Sequence, residues 1–413
     1  MHRHDVVIVG AGPAGLFSAA RLAAAGLDVA VLEEHAEAGV PVHCTGVLAD
    51  DAFVEFGVTR ASVLNPLRRA RFFAPSGDSI GYETEKIEAI VIDRRVFDQE
   101  LHRRAGNAGA RILAGHRATT LTIEKDGVRI ALRDRDAIAA RTAILACGAS
   151  YGIARQLGLG LPSAWLQSAQ LEVPATHAGD VEVHFGARVA PRGFAWAVPV
   201  VRATGRFVRV GLMCDGAPAD YFGRFLSRLA PRWGISAPAC SGEPAPRLKM
   251  LPLAPVPRTY TDRVLAVGDA AGLVKATTGG GIYYSLVSAA MAANVLAPAI
   301  RAGRLDAVHL AAYERLWRKR LGSELDAQLS LRRLAHRLDD SDIDGFFDLA
   351  RTDGVMPLVR RTAQFNQHRH LIRALFKHPP AREILFKRFA DSWRGTLTQP
   401  ILPEPAGTGS QPS

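Results

Sequence analysis

The hexapeptide Gly10-Ala11-Gly12-Pro13-Ala14-Gly15 constrains this chain more than any other stretch. It stands between an apolar run, Asp5 to Val9, and an Ala/Leu-rich run that ends near Gly26. Such an order predicts a buried strand, a tight turn and a helix. In a G-x-G-x-x-G turn of this kind Gly10 permits the sharp bend. Gly12 lets the backbone approach a pyrophosphate, and Gly15 lets the helix pack closely on the strand. Phosphates then rest, beside Ala14, on the free N–H groups and positive end of the helix. Asp28 to Leu32 reads as a second strand. Glu33, 18 residues past Gly15, stands at its end, where a carboxylate meets ribose hydroxyls.

A second constellation separates the possible dinucleotides. Arg263 to Val267 reads as a buried strand and runs into Gly268-Asp269-Ala270-Ala271-Gly272. An aspartate there reaches a ribityl chain, and the glycine admits the cofactor. Gly279-Gly280-Gly281-Ile282 then opens a long helix whose N–H groups and dipole favour the anionic edge of a reduced flavin. A plain nicotinamide enzyme needs neither element, so the expected cofactor is FAD.

The stretch from Gly268 to Ile282 resembles the G-D-A-A-G-x-x-x-P-x-T-G-G-G-I motif of the geranylgeranyl reductase family, with Ala276 where proline is usual. That family lies within the flavoproteins built like p-hydroxybenzoate hydroxylase, and the resemblance covers roughly residues 5–300. Pro41-Val42-His43-Cys44-Thr45-Gly46 is similar to its P-x-x-C-x-G segment beside the flavin. Asp93-Arg94-Arg95-Val96-Phe97-Asp98 resembles its D-R-x-x-F-D, which gives Arg94 a contact with FAD. Phe194-Ala195-Trp196-Ala197-Val198-Pro199 resembles its substrate-side Y-x-W-x-F-P, which makes Phe194, Trp196 and Pro199 the substrate pocket. A G-x-G normally follows; here Arg209-Val210-Gly211 takes that place and the first glycine is lost. Ala146-Cys147-Gly148 resembles the D-G motif of flavin hydroxylases with Cys147 in place of the aspartate, which disfavours a hydroxylase.

The resemblance implies a cofactor set of Gly10, Gly12, Ala14, Gly15, Glu33, Cys44, Gly46, Arg94, Ala118, Gly268, Asp269, Gly280, Gly281 and Ile282. Cys44 is the candidate catalytic residue: it either helps protonate a substrate carbon or is simply small enough for a tight turn. Trp196 is a pocket wall or plain core. Lys275 falls beside the flavin by position, with a proton relay as the sharper alternative. Cys147, Cys214 and Cys240 read as packing residues.

The expected fold is α/β. A discontinuous Rossmann-type FAD-binding domain takes residues 1–60, 85–160 and 260–303. A β-rich substrate domain takes 61–84 and 161–259, a C-terminal helical region 304–395, and a disordered Pro/Gly/Ser-rich tail 396–413. Helix is expected from Asp93 to Ala105, and strands at Arg117–Glu124, Val128–Leu132 and Thr142–Ala146. The uncharged run from Ala276 to Ile300 reads as a buried helix rather than a membrane span. The formal charge of +11 comes from 51 basic residues, of which 44 are Arg. With no aromatic-interleaved basic stripe, it does not indicate nucleic acid. Four cysteines without a C-x-x-C pair indicate neither a metal site nor a disulfide framework, and fit a reducing cytoplasm.

The expected activity is reduction of carbon–carbon double bonds in a polyprenyl or other isoprenoid lipid, with NAD(P)H or a ferredoxin as external electron donor. The alternatives are an FAD-dependent monooxygenase or halogenase, and an electron-transfer flavoprotein reducing quinone. Residues 355–395 carry nine Lys/Arg against two acids, interleaved with Phe365, Leu371, Ile372, Leu375, Phe376, Ile384, Leu385, Phe386, Phe389 and Trp393. Basic amphipathic helices of this kind lie in membrane interfaces, so peripheral attachment to the inner face of the cell membrane is expected.

Overall fold

The computed structural model describes residues 3–236, 245–352 and 354–386. Val6, Val7, Ile8 and Val29 to Leu32 are almost wholly buried. Apolar runs without polar alternation are what strands covered on both faces require. They lie in a sheet ordered Tyr260–Thr261, Val264–Ala266, Arg135–Leu145, Arg3–Val9, Val29–Leu32, Arg111–Leu113. Every pair from Val264–Ala266 to Arg111–Leu113 is parallel. The strand expected at Thr142–Ala146 begins at Arg135 instead. Its first half pairs antiparallel with Val128–Leu132, and its second half parallel with Arg3–Val9; only the second half has the buried apolar pattern. Helices Pro13–Ala24 and Ile282–Ala302 pack together on this sheet. Ile282–Ala302 is long and apolar enough to cross a membrane, yet 61% of its apolar window is buried in the protein.

A second, seven-stranded sheet draws on Arg69–Phe73, Ser79–Glu83 and the stretch from Trp165 to Pro252. Side chains alternate between its faces. Ala195, Ala197, Val208, Val210 and Leu212 point to the face covered by helix Pro218–Trp233, through Phe222, Phe225, Leu226 and Leu229. Trp196 and Val198 point the other way, towards the first sheet. A three-stranded sheet of Val47–Ala49, Ala89–Ile92 and Val63–Leu67 joins Val198 and Val200 through Val91.

Beyond Gly303 the described residues are mainly helical: Ala307–Trp317, Ser323–Ala335, Asp340–Thr352, Val355–Thr362 and Arg369–Lys377. Tyr313 donates to the Ala266 carbonyl at 2.8 Å, and Trp317 Nε1 to Thr259 Oγ1 at 2.9 Å. Both rings are fully buried, and truncating either to alanine would cost about 3–5 kcal/mol. The region is therefore fastened to the edge of the first sheet. Cys240, Lys387, Arg388, Phe389, Trp393 and the 396–413 tail lie outside the described residues.

Candidate functional site

A cavity of about 780 Å³ runs between the two sheets. Its floor at one end is the glycine turn, whose three glycines differ. Gly10 has φ +107°, and a Cβ there would overlap the Ala146 carbonyl. A Cβ on Gly15 would overlap the Gly10 carbonyl oxygen. Gly12 has ordinary extended dihedrals, φ −78° and ψ −178°, and nothing lies within 4 Å of a Cβ placed on it. The polypeptide itself gives no reason for glycine at 12. An approaching pyrophosphate does, so this cradle fits a dinucleotide.

Ala14, Glu33 and Ala118 also line the cavity, with Arg117 and Thr119. Glu33 is 9% exposed and accepts from Ala11 N at 2.8 Å and His35 N at 3.0 Å, so its carboxylate is already oriented by the loop it serves. Cys147 lies nearby, its thiol donating to the Ser150 carbonyl at 3.3 Å. Burial pushes its pKa up to about 11, which keeps it protonated and unreactive.

Asp269 lines the cavity and Gly268 does not. Gly268 instead takes φ +58° where Ser285 Oγ stands 2.7 Å from a would-be Cβ. Lys249 Nζ lies 3.3 Å from Asp269 Oδ2. Gly280, Gly281 and Ile282 form the cavity's wall at the start of helix Ile282–Ala302. The Cys44–Gly46 turn also lines the cavity, and in it Gly46 N donates to Cys44 Sγ at 3.3 Å. Arg94 makes a two-pronged pair with Asp98, at 3.1 and 2.9 Å. Burial opposes its charge, but Asp98 and the Cys44 sulfur outweigh this and raise its pKa. His43, at the same wall, is held below its usual pKa by burial and by Lys249 and Arg247.

Phe194 and Trp196 line the apolar end with their rings 5.7 Å apart, together with Val181, Val183, Val198 and Leu251. The Trp196 indole lies on Gly211, where a Cβ would collide with it, and its buried Nε1 has no hydrogen-bond partner among the described residues. Pro199 is a correction. It lies one residue out of step with Phe194, Trp196 and Val198, and a strand turns alternate residues to opposite faces. It lines a separate cavity of about 420 Å³ with Phe207 and Trp233.

Sequence reasoning missed Phe365 and Asn366, which reach the cavity from the C-terminal region. Lys275, only 3% exposed, donates to the Phe365 carbonyl at 2.5 Å and to Asn366 Oδ1 at 3.0 Å. Its ammonium also lies 4.2 Å from the Phe365 ring centroid. Glu324 and Asp51 favour its charge, but burial dominates and lowers its pKa to about 7. Lys249, Leu251, Val181 and Val183 were missed as well; the strand segments 181–184 and 247–252, where alternate residues share a face, were their available signal.

Comparison with known proteins agrees with this geometry. Residues 3–204 match the FAD binding domain family. The fold and site thus define an FAD-dependent oxidoreductase. Digeranylgeranylglycerophospholipid reductase 2 of Methanothermobacter thermautotrophicus is 32% identical over 363 residues, spanning 83% of this chain and 90% of the relative. The enzyme of the same name from Methanopyrus kandleri is 31% identical, spanning 86% and 92%. The chain belongs to the geranylgeranyl reductase family, the family of these enzymes. A geranylgeranyl bacteriochlorophyll reductase-like protein from Thermoplasma acidophilum shares its fold, with TM-score 0.78 and 22% identity over 95% of this chain and 99% of that one.

Proposed function

We propose that the chain reduces isolated carbon–carbon double bonds of a long isoprenoid lipid. One observation carries this reading: the apolar side chains of Val181, Val183, Phe194, Trp196, Val198 and Leu251 line the same cavity as the Gly279–Gly281 segment and the dinucleotide cradle. Bound FAD, once reduced by an external donor, supplies the hydride for such a reaction. The residues do the rest. Gly10, Gly12, Ala14, Gly15, Glu33, Ala118 and Asp269 hold the dinucleotide, and Arg94, Gly280, Gly281 and Ile282 place its ring end. The apolar wall aligns the lipid chain and excludes water. Cys44 and Lys275, which both line the cavity, are the candidate groups for delivering the proton. Gly268 acts from behind, by letting helix Ile282–Ala302 approach the glycine turn.

The direct test is anaerobic. Reduced protein should be reoxidised by a polyprenyl lipid, whose mass rises by two hydrogens for each bond saturated. Reoxidation by oxygen alone, with hydroxylated or halogenated product, would overturn the reading.

We also propose a cytoplasmic enzyme that meets its lipid at the membrane surface, with NAD(P)H or a ferredoxin as donor. Arg360, Arg361, Arg373, Lys377 and Arg382 are exposed, while Ile372 and Leu385 are buried and Leu371, Leu375 and Phe376 half-buried. This supports electrostatic contact over insertion, at about 1 kcal/mol per basic residue. Binding to anionic vesicles should weaken with salt and fall in the triple variant Arg373→Gln, Lys377→Gln, Arg382→Gln. Equal binding to neutral vesicles would refute it.

A further inference from the structure

Arg209 stands where the family motif has its first glycine, and the structure gives that arginine an occupation. It is 2% exposed, on strand Gly205–Cys214. Its Nε donates to Glu172 Oε2 at 2.7 Å. One terminal nitrogen donates to two backbone carbonyls, Thr45 at 2.5 Å and Ile92 at 3.0 Å. Glu172 faces it directly across the strand pair and also accepts two bonds from Arg202, at 2.7 and 3.1 Å. Arg202 in turn reaches Asp93, which caps helix Arg94–Asn107 by accepting from Arg95 N and Val96 N. The two arginines hold the Glu172 carboxyl below its usual range despite its burial.

This cluster therefore grips both sides of the Cys44 wall. Through Arg209 it holds the carbonyl next to Cys44. Through Arg202 and Asp93 it holds the helix whose first residue, Arg94, lies against the Cys44 sulfur. The Thr45 hydroxyl adds a bond to Gln170 Oε1 at 2.5 Å, from the same sheet. The guanidinium also explains the glycine at 46. A Cβ there would lie 2.5 Å from Arg209 and 2.7 Å from the Ile92 carbonyl, and φ is +68°.

We propose that Arg209 is a positioning residue of the site: its guanidinium, clamped by Glu172, fixes the Cys44–Gly46 turn against the cavity in which the flavin ring binds. It acts through backbone carbonyls and takes no part in proton or hydride transfer. The role holds whatever substrate the cavity accepts.

The test uses the FAD-loaded protein and the variant Arg209→Gly, which restores the family's residue. Glu172 keeps Arg202 as partner, so no buried charge is stranded and the fold should persist, as read by circular dichroism. Loss of a charge-assisted bond to the turn should weaken FAD binding and speed alkylation of Cys44, mapped by peptide mass spectrometry, each on the order of tenfold. The visible flavin band should shift. Millimolar guanidinium should restore all three readings and methylammonium should not, because the vacated space matches a planar fork. Folded Arg209→Gly with the wild-type band, affinity and alkylation rate overturns the proposal. If that variant does not fold, Arg209→Lys and Glu172→Gln decide it. Both loosen the clamp while keeping the cluster occupied, and wild-type readings in both overturn the proposal equally.

Discussion

Without cofactor, Gly12→Ala and Gly12→Val should be slightly more stable than the wild type, and both should fail to bind FAD. The reasoning is geometric. Position 12 has extended backbone angles open to any residue, and a Cβ there meets nothing within 4 Å. Removing glycine at such a position stiffens the unfolded chain and stabilises the protein by about 0.4–1 kcal/mol. With FAD present the sign reverses. A ligand at one hundred times its Kd stabilises the native state by about 2.7 kcal/mol, and a variant with no room for the pyrophosphate loses all of it. Gly10→Ala and Gly15→Ala are the controls. There the added carbon would overlap backbone oxygens, so both variants should melt well below the wild type even without FAD. Thermal melts with and without FAD, beside calorimetric titration, separate the cases. Gly12→Val that binds FAD with wild-type affinity, or cofactor-free Gly12→Ala that melts with the two controls, would refute the assignment.

Lys275 predicts a pH dependence. Its pKa falls from 10.5 unfolded to about 7 folded, so between those values the unfolded chain holds more protons and stability rises with pH. Relative to Lys275→Met, the wild type should gain up to about 5 kcal/mol from pH 7 to 10.5, measured by urea unfolding; parallel curves for the two proteins would sink this. Trp196→Ala and Gly211→Ala should both keep flavin bound but damage turnover, the first by removing the pocket wall and the second because its Cβ displaces the indole from behind. Pro199→Ala, facing the other cavity, should turn over normally. Steady-state rates with a polyprenyl substrate check both, and wild-type kinetics in Gly211→Ala would show that the ring position is immaterial.

The parts of the site that were legible in the sequence are those built by near neighbours. Gly10 to Gly15 and Glu33 are set by one strand, one turn and one helix, each with its own local pattern. Asp93 declares the start of helix Arg94–Asn107 by capping it. Pro199 misled because a motif gives spacing along the chain, and on a strand a single step changes the face. Helix Pro218–Trp233 carries its signal in the spacing of Phe222, Phe225, Leu226 and Leu229, a short helical pattern set within a stretch that otherwise alternates as strands. Phe365 and Asn366 could not be read at all. Their link to Lys275 spans 90 residues, and nothing local in either segment names the other. Arg209 likewise looked like a motif defect until its partners, on two other strands and a loop, were in view.

The wall supplied by Phe365 and Asn366 has a consequence for how the molecule is made. Translation delivers the glycine turn some 350 residues before this wall. The strand Val264–Ala266, which completes the parallel run beside Arg135–Leu145, emerges between them. On the ribosome the dinucleotide cradle is therefore finished while the side of the cavity facing Lys275 is still open. The order of synthesis favours loading before the wall is added: FAD can enter a nascent chain from the side that Phe365 and Asn366 later line. Chains arrested ahead of residue 363 should exchange bound FAD freely, and full-length chains slowly. Equal exchange from both would show that the last helices close nothing.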